Sequence, residues 1–373
     1  MINIGFDAKR AFYNSRGLGN YSRDTIRIVS EFDCNNNIYL FTPKVANAIP
    51  VTYSSNCKIV SPEKGFYKRF SSLWRLYGQN TQIEKLRLDV YHGLSHELPL
   101  GIEKTGARAV VTMHDLIFFK MPELYPFIDR QLYKKKYFRS CKVADKIVAI
   151  SQQTKQDLID LIGIDEGKIE VIYQGCNPIF LDEKNTNQIV TAREQYGLPQ
   201  DYLLCVGAIE KRKNQELILK AMAHGQLDIT LVLIGKPTDY VHELKTIIAR
   251  YKMENRVKFL ENVPTADLPA IYQGATAFVY PSHFEGFGIP ILEALNSRIP
   301  VITSKGSCFE ETGGADSLYV DSHRSDELSC AIKKVLDDAS LRQKMIRLGL
   351  SHANKFSDAT IGKSMISLYQ SLL

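Results

Sequence analysis

The 373-residue chain is predicted to be an α/β protein built from two doubly wound domains, each on a parallel sheet. Three observations predict this. Apolar runs of strand length alternate with longer amphipathic stretches along the whole sequence. The strand runs are continuously apolar, as in Tyr202-Leu203-Leu204-Cys205-Val206, which marks strands covered on both faces. The length is about twice that of an ordinary domain, and a polar break divides it near the middle.

In chain order, strands are expected at Asn3–Asp7, Ile38–Thr42, Val90–His92, Ala109–His114, Lys146–Ile150 and Ile169–Ile172. A second series is expected at Tyr202–Val206, Thr230–Ile234, Val257–Leu260, Ala277–Tyr280, Val301–Thr303 and Leu318–Val320. Helical spacing fills the intervals at Gln153–Leu161, Asn214–Ala223, His242–Tyr251 and Ile289–Leu295. The polar stretch after Gly175-Cys176-Asn177-Pro178 places a hinge near residue 178. The expected domains are therefore 1–178 and 179–356, with a final helix 357–373 returning to the first. Ligands in such sheets bind beyond the carboxyl ends of the strands, so the chemistry belongs in strand-to-helix loops.

Bulk properties exclude several classes. No apolar run approaches the ~18 residues of a spanning helix, and no signal peptide precedes the first strand. A cytoplasmic protein is expected. Seven cysteines without a Cys-x-x-Cys spacing argue against a zinc site or a disulfide framework. The net charge of +6 is unevenly placed: Lys58 to Lys146 holds seventeen Lys and Arg against nine Asp and Glu. That basic surface suits an anionic partner, or is solvated surface with none.

Four loops carry candidate chemistry. Glu285-Gly286-Phe287-Gly288-Ile289-Pro290-Ile291-Leu292-Glu293 follows a strand and opens a helix. Pro290 suits a first helical turn, the glycines permit close backbone approach, and the loop amides form an anion and hydroxyl site. The two carboxylates lie eight residues apart, roughly 12 Å if helical, so they must do different work. Glu285 is placed to reach a sugar and Glu293 to bind ribose hydroxyls. Secondly, Gly207-Ala208-Ile209-Glu210-Lys211-Arg212-Lys213-Asn214 clusters cations at a strand end, where they would neutralise a diphosphate leaving group. Thirdly, Arg16-Gly17-Leu18-Gly19 is expected to expose backbone amides, although the full dinucleotide fingerprint Gly-x-Gly-x-x-Gly is absent. Finally, His114-Asp115 ends a strand as a hydrogen-bonding pair. No Asp-x-Asp, Walker A or Gly-x-Ser-x-Gly occurs, so neither metal nor cofactor is expected.

Together these residues resemble the glycogen-synthase-like retaining glycosyltransferases, family 4 in the sequence classification. Its Glu-x7-Glu pattern is matched by Glu285 and Glu293, its diphosphate clamp by Arg212 and Lys213, its glycine loop by Gly17 and Gly19, and its sugar-touching histidine by His114. Ala149-Ile150-Ser151, Val171-Ile172-Tyr173-Gln174-Gly175 and Phe309-Glu310-Glu311-Thr312-Gly313-Gly314 also match. The resemblance covers nearly the whole chain. Many members carry Arg after the strand-end glycine, where this chain has Ala208. The Glu-x-Arg-Lys-Asn form here is that of bacterial mannosyl- and rhamnosyltransferase-like members.

The resemblance implies the GT-B fold, two Rossmann-like doubly wound domains facing across a cleft, and metal-independent hexosyl transfer with retention. It implies a UDP-, GDP- or dTDP-linked donor, and a saccharide or lipid-linked saccharide acceptor in surface polysaccharide synthesis, with no nucleic acid. Catalytic roles fall to Lys213, Arg212, Glu285 and His114. Donor binding falls to Gly17, Gly19, Gly286, Phe287, Gly288, Ile289, Ile291, Leu292 and Glu293. A nucleotide-sugar hydrolase or epimerase of this fold, or a non-catalytic sugar- or nucleic-acid-binding module, remains an alternative. Gly65–Gly78, with Phe66, Phe70, Leu73, Trp74 and Tyr77 among Lys68, Arg69 and Arg75, is either a core-facing helix or a peripheral membrane contact on an anionic inner leaflet. Lys134-Lys135-Lys136 with Arg130 and Arg139 adds a second basic face.

Overall fold

A computed structural model of the chain describes residues 1–44, 54–62, 67, 70 and 73–373. It forms two compact units, Met1–Gly175 with Phe356–Leu373, and Cys176–Lys355.

Among the described residues, unit 1 has seven strands: β1 (Asn3–Asp7), β2 (Asn37–Phe41), β3 (Cys57–Val60), β4 (Val90–Gly93), β5 (Arg108–Met113), β6 (Lys146–Ala149) and β7 (Ile169–Val171). Their order in the sheet is β3-β2-β1-β4-β5-β6-β7, and every pairing is parallel. Unit 2 holds β8 (Tyr202–Val206), β9 (Thr230–Ile234), β10 (Val257–Leu260), β11 (Ala277–Tyr280), β12 (Val301–Ser304) and β13 (Leu318–Val320). Their order is β10-β9-β8-β11-β12-β13, again all parallel. The central strands are buried on both faces, which explains their unbroken apolar runs: Leu203 and Leu231 pair in register, as do Ile4 and Val90. Each sheet reverses its winding once, between β1 and β4 and between β8 and β11. Those reversals splay neighbouring loops apart and leave a crevice at the strand ends.

All twelve strands expected from the sequence form. The thirteenth, β3, was not anticipated. It is an edge strand with Lys58 and Ile59 exposed, so it lacks the apolar run that betrays the others. All seven cysteines are free, and Cys141, Cys176, Cys205 and Cys308 are buried as small core residues. In the segment expected at Gly65–Gly78, Gly65, Phe66, Lys68 and Arg69 lie outside the described residues. Trp74 is buried and Arg75 is held by Asp7 at 2.6 Å and by Glu97, whereas Phe70 and Tyr77 are exposed.

The last helix, Asp358–Gln370, is part of unit 1. Arg27 holds Asp358 at 2.7 Å, and Gly362 lies so close to Phe32 that a methyl group there would sit 2.7 Å from the ring. Tyr369 is fully buried, with Oη 2.7 Å from His92 Nδ1. Tyr369→Ala removes a packed ring and one partner of a buried imidazole. A loss of about 3–5 kcal/mol is expected, read as a lower urea midpoint for unit 1. An unchanged midpoint would contradict this anchoring.

Candidate functional site

The crevice of unit 2 is bordered by the loops after β8 and β11, and the Arg-Lys and Glu-x7-Glu motifs lie in those two loops. Val206 leads into Gly207, at φ +144°, and the chain then turns through a short 3-10 segment, Lys211–Lys213. Gly235, after β9, packs against this turn: a Cβ there would lie 1.8 Å from the Gly207 carbonyl oxygen. Ile209 N–H donates to Lys236 O at 3.0 Å, and Thr238 N–H donates to Ile209 O at 3.2 Å. Asn214, in a left-handed conformation (φ +57°), donates through its amide to Pro281 O and Ser322 O. These bonds fix where the two cations point.

Both point at one carboxylate. Lys213 Nζ lies 2.6 Å from Glu285 Oε1, and Arg212 Nη1 lies 2.8 Å from Glu285 Oε2. Ser282 Oγ and Tyr280 Oη also donate to Oε1, at 2.7 and 3.0 Å. Arg212 further reaches Glu210 Oε1 at 2.7 Å and the Phe284 carbonyl at 2.7 Å. The cluster is buried, with Glu285 7% and Lys213 9% exposed. Burial alone would raise the Glu285 carboxyl, but Arg212 and then Lys213 outweigh it and hold it down to about 2. Burial draws the Lys213 ammonium below its usual value; Glu285 works against that and Arg212 with it. Tyr280 is pushed well up by burial and then by Glu285, so it remains a neutral donor.

The second loop continues from this cluster. Gly288, at φ +84°, turns the chain into the helix Ile289–Asn296, with Pro290 in its first turn. Thr312 Oγ1 donates to Phe287 O, and Ser307 Oγ donates to Glu285 O at 3.0 Å, pinning the loop from the β12 side. The side chains of Phe287, Ile291 and Leu292 are buried in the core. Their side chains are therefore committed to packing, and what they present toward the crevice is backbone. Glu293, half-buried inside the helix, accepts from Tyr272 Oη at 2.9 Å, away from the Glu285 cluster's own partners.

In unit 1, His114 sits after β5 and is 5% exposed. Its Nε2 donates to Leu94 O at 2.9 Å, which leaves Nδ1 as the acceptor nitrogen. Its own N–H donates to His96 Nε2 at 3.0 Å, and Tyr21 packs edge-on to the ring at 4.5 Å. Beneath it, Tyr21 Oη lies 3.0 Å from Thr112 Oγ1, which lies 2.8 Å from His92 Nε2. Burial draws all three imidazoles down. His114 falls to about 4 despite its Leu94 bond, with Arg10 adding to the shift. His92 falls to about 3 through burial and then His114, and His96 falls well below its usual value for the same reasons and Arg10. His92, His96, Tyr21, Tyr280 and Ser282 were not singled out by sequence; all but Tyr21, which lies in the helix Gly17–Phe32, sit at or near a strand end, which is the signal that would have found them.

The glycine loop differs from expectation. Gly17 and Gly19 lie in the first turn of the helix Gly17–Phe32. The Gly19 N–H donates to Arg16 O at 2.8 Å and is not offered to a ligand. Glycine is needed there because a Cβ would fall 1.6 Å from Asn14 O.

The three buried histidines set an acid limit. Their folded-state values are depressed, so the unfolded chain takes up protons first and stability falls as pH drops below about 6.5. His92 and His114 each contribute a loss of about 2 kcal/mol between pH 6.5 and 5, and His96 acts in the same direction. The Glu285 contribution, by contrast, is complete above about 4.5 and disappears only as pH falls toward 2. Denaturant titrations of unit 1 at pH 7 and 5 should therefore differ steeply. Equal midpoints would contradict neutral, buried imidazoles.

The comparisons with known proteins agree with this architecture. The model of "Glycosyl transferases group 1" matches residues 188–351, and that of "Glycosyltransferase Family 4" matches residues 33–179. O-antigen chain mannosyltransferase B of Escherichia coli is 30% identical over 288 residues, spanning 76% of this chain and 74% of that protein. O-antigen chain mannosyltransferase RfbU of Salmonella typhimurium is 29% identical over 249 residues, 66% of this chain and 65% of that protein. Among solved structures, Anabaena Alr3699/HepE in complex with UDP shares the fold at a TM-score of 0.76 and 20% identity, with 100% of both chains covered. With two buried cations facing one carboxylate at a sheet crossover, and with these relatives, the chain belongs to the group 1 glycosyltransferases of family 4.

Proposed function

We propose that the chain transfers a hexose, with retention, from a nucleoside diphosphate sugar to a saccharide or lipid-linked saccharide acceptor in surface polysaccharide synthesis. The observation that carries this is the pairing of Arg212 and Lys213 with Glu285 at the β8–β11 crossover. Mannose is the favoured hexose, from the names of the E. coli and Salmonella relatives.

Unit 2 holds the donor. Its diphosphate enters by exchange: phosphate oxygens take over contacts that Glu285 and Glu210 make to the two cations. The C1–O bond to the diphosphate breaks and the C1–O bond to the acceptor forms on the same face. The acceptor hydroxyl proton passes to the departing phosphate oxygen. Negative charge grows on that leaving group, so fixed cations favour the transition state over the ground state. A carboxyl held at about 2 is a poor proton carrier near neutrality. Glu285 therefore serves as an acceptor for sugar hydroxyls, with the Gly286–Gly288 backbone beside it. Glu293 holds ribose, and His114 offers Nδ1 to a sugar hydroxyl. The acceptor is presented at a membrane surface, which unit 1 contacts peripherally.

Two variants separate these roles. Lys213→Ala is expected to lower turnover about a hundredfold, or ~3 kcal/mol of transition-state stabilisation, with the fold retained. Glu285→Gln is expected to lower turnover similarly. It should nevertheless bind nucleoside diphosphate at least as tightly as the native protein, because the competing charge is gone. Calorimetry with UDP, GDP, dTDP and ADP reads the affinity and identifies the base. Near-normal turnover in Lys213→Ala, or lost diphosphate binding in Glu285→Gln, would refute the exchange.

A further inference from the structure

The helix Phe127–Val143 is fixed to unit 1 by one side only. Tyr137 stacks on His96 at 4.5 Å, Ser140 Oγ accepts from Leu98 N–H, and Cys141 is buried. Arg139 donates to the carbonyls of Leu98 and Pro99, and Lys136 pairs with Glu97 at 2.8 Å. The opposite side is turned to solvent and is apolar. Ile128 is 72%, Phe127 65% and Leu132 51% exposed, with Phe138 nearly as open. These residues, with Lys134 and Lys135, line a shallow groove of about 400 Å³. Ile128, Leu132, Lys135 and Phe138 follow one another at steps of four, three and three, so they share one face of the helix, about 16 Å long from Phe127 to Phe138. A stripe of this kind on a water-facing surface marks a contact with something apolar.

Charge identifies what that is. The helix carries six Lys and Arg against a single acid, Asp129. Lys134 lies over the Phe119 ring at 4.9 Å and Arg130 over Phe127 at 5.5 Å, at the border of the apolar residues, and Lys135 stands among them in the groove. Apolar side chains that enter the acyl boundary, rimmed by long basic side chains that reach headgroup phosphates, match an anionic bilayer surface. Among the described residues, no helix is long and apolar enough to cross a membrane. We propose that the outward face of Phe127–Val143 is the membrane-docking surface of unit 1, lying flat in the interface of an anionic bilayer. This deepens the reading of a membrane-borne acceptor and rests on it for its purpose.

The test is flotation of the full chain with phosphatidylcholine vesicles, with and without phosphatidylglycerol. The native protein should float with the anionic vesicles and far less with the neutral ones. Leu132→Ser alone should weaken binding about tenfold, and Ile128→Ser combined with Phe138→Ser should abolish it. Lys134→Ala with Lys135→Ala should remove the preference for anionic lipid. Circular dichroism and transfer to a water-soluble acceptor without vesicles should be unchanged in all of them. Equal flotation of the native protein and the double serine variant would overturn the proposal. So would failure of the native protein to float combined with self-association that the serine variants abolish, which would assign the stripe to a second copy. Absence of transfer to any acceptor, with flotation intact, would instead refute the functional reading and leave the docking surface standing.

Discussion

A single buried carboxylate organises unit 2. Glu285 draws Arg212 and Lys213 toward the same point, and Ser282 and Tyr280 supply the remaining donors. Removing charges from water is costly, and a buried ion pair seldom stabilises a fold better than apolar residues would. Its place at the β8–β11 crossover gives it another use. Both cations are held in position without ligand, so the proposed exchange of carboxylate for phosphate would need little reorganisation. A prearranged electrostatic site of this kind does its work only if its supports are rigid, and they are. Gly235 against Gly207, Asn214 bridging to the β11 and β13 loops, and Thr312 on Phe287 lock the turns that carry the charges.

Unit 1 shows the same logic with neutral groups. His114, like the cations of unit 2, follows the end of a strand, but burial keeps its ring uncharged and the Leu94 carbonyl fixes its tautomer. The chain of contacts through Tyr21, Thr112 and His92 ends on Tyr369 of the last helix. A residue 277 positions beyond His92 thus sets the environment inside the first unit's sheet. The resulting core is apolar in packing and polar along one thread, which makes it specific and acid-sensitive.

Much of this was legible in the sequence, for reasons that can be named. Central strands buried on both faces must be apolar throughout, so they announce themselves, and the edge strands β7, β10 and β13 keep enough apolar residues to be read as well. Cys57–Val60 did not, because an edge strand with Lys58 and Ile59 facing water has no such constraint. The Arg-Lys and Glu-x7-Glu motifs were visible because loops at strand ends have little other reason to combine those residues. Their mutual neutralisation was invisible: the two motifs lie over seventy residues apart, and only the parallel pairing of β8 with β11 brings them together. At Gly19 the structure supplies a reason for glycine that the motif did not: the Asn14 carbonyl leaves no room for a Cβ, a contact of local packing. In Phe127–Val143 the apolar residues are spread around the helix, with Tyr137 inward and Ile128 outward, so periodicity alone selects no face.

The account depends on phosphate replacing carboxylate at a prearranged pair of cations. Crystals soaked with an intact sugar nucleotide test it directly. The account predicts the pyrophosphate oxygens against Arg212 and Lys213, with the Glu285 carboxylate turned to the hexose hydroxyls. A pyrophosphate bound elsewhere, with the Glu285 pairings undisturbed, would contradict it.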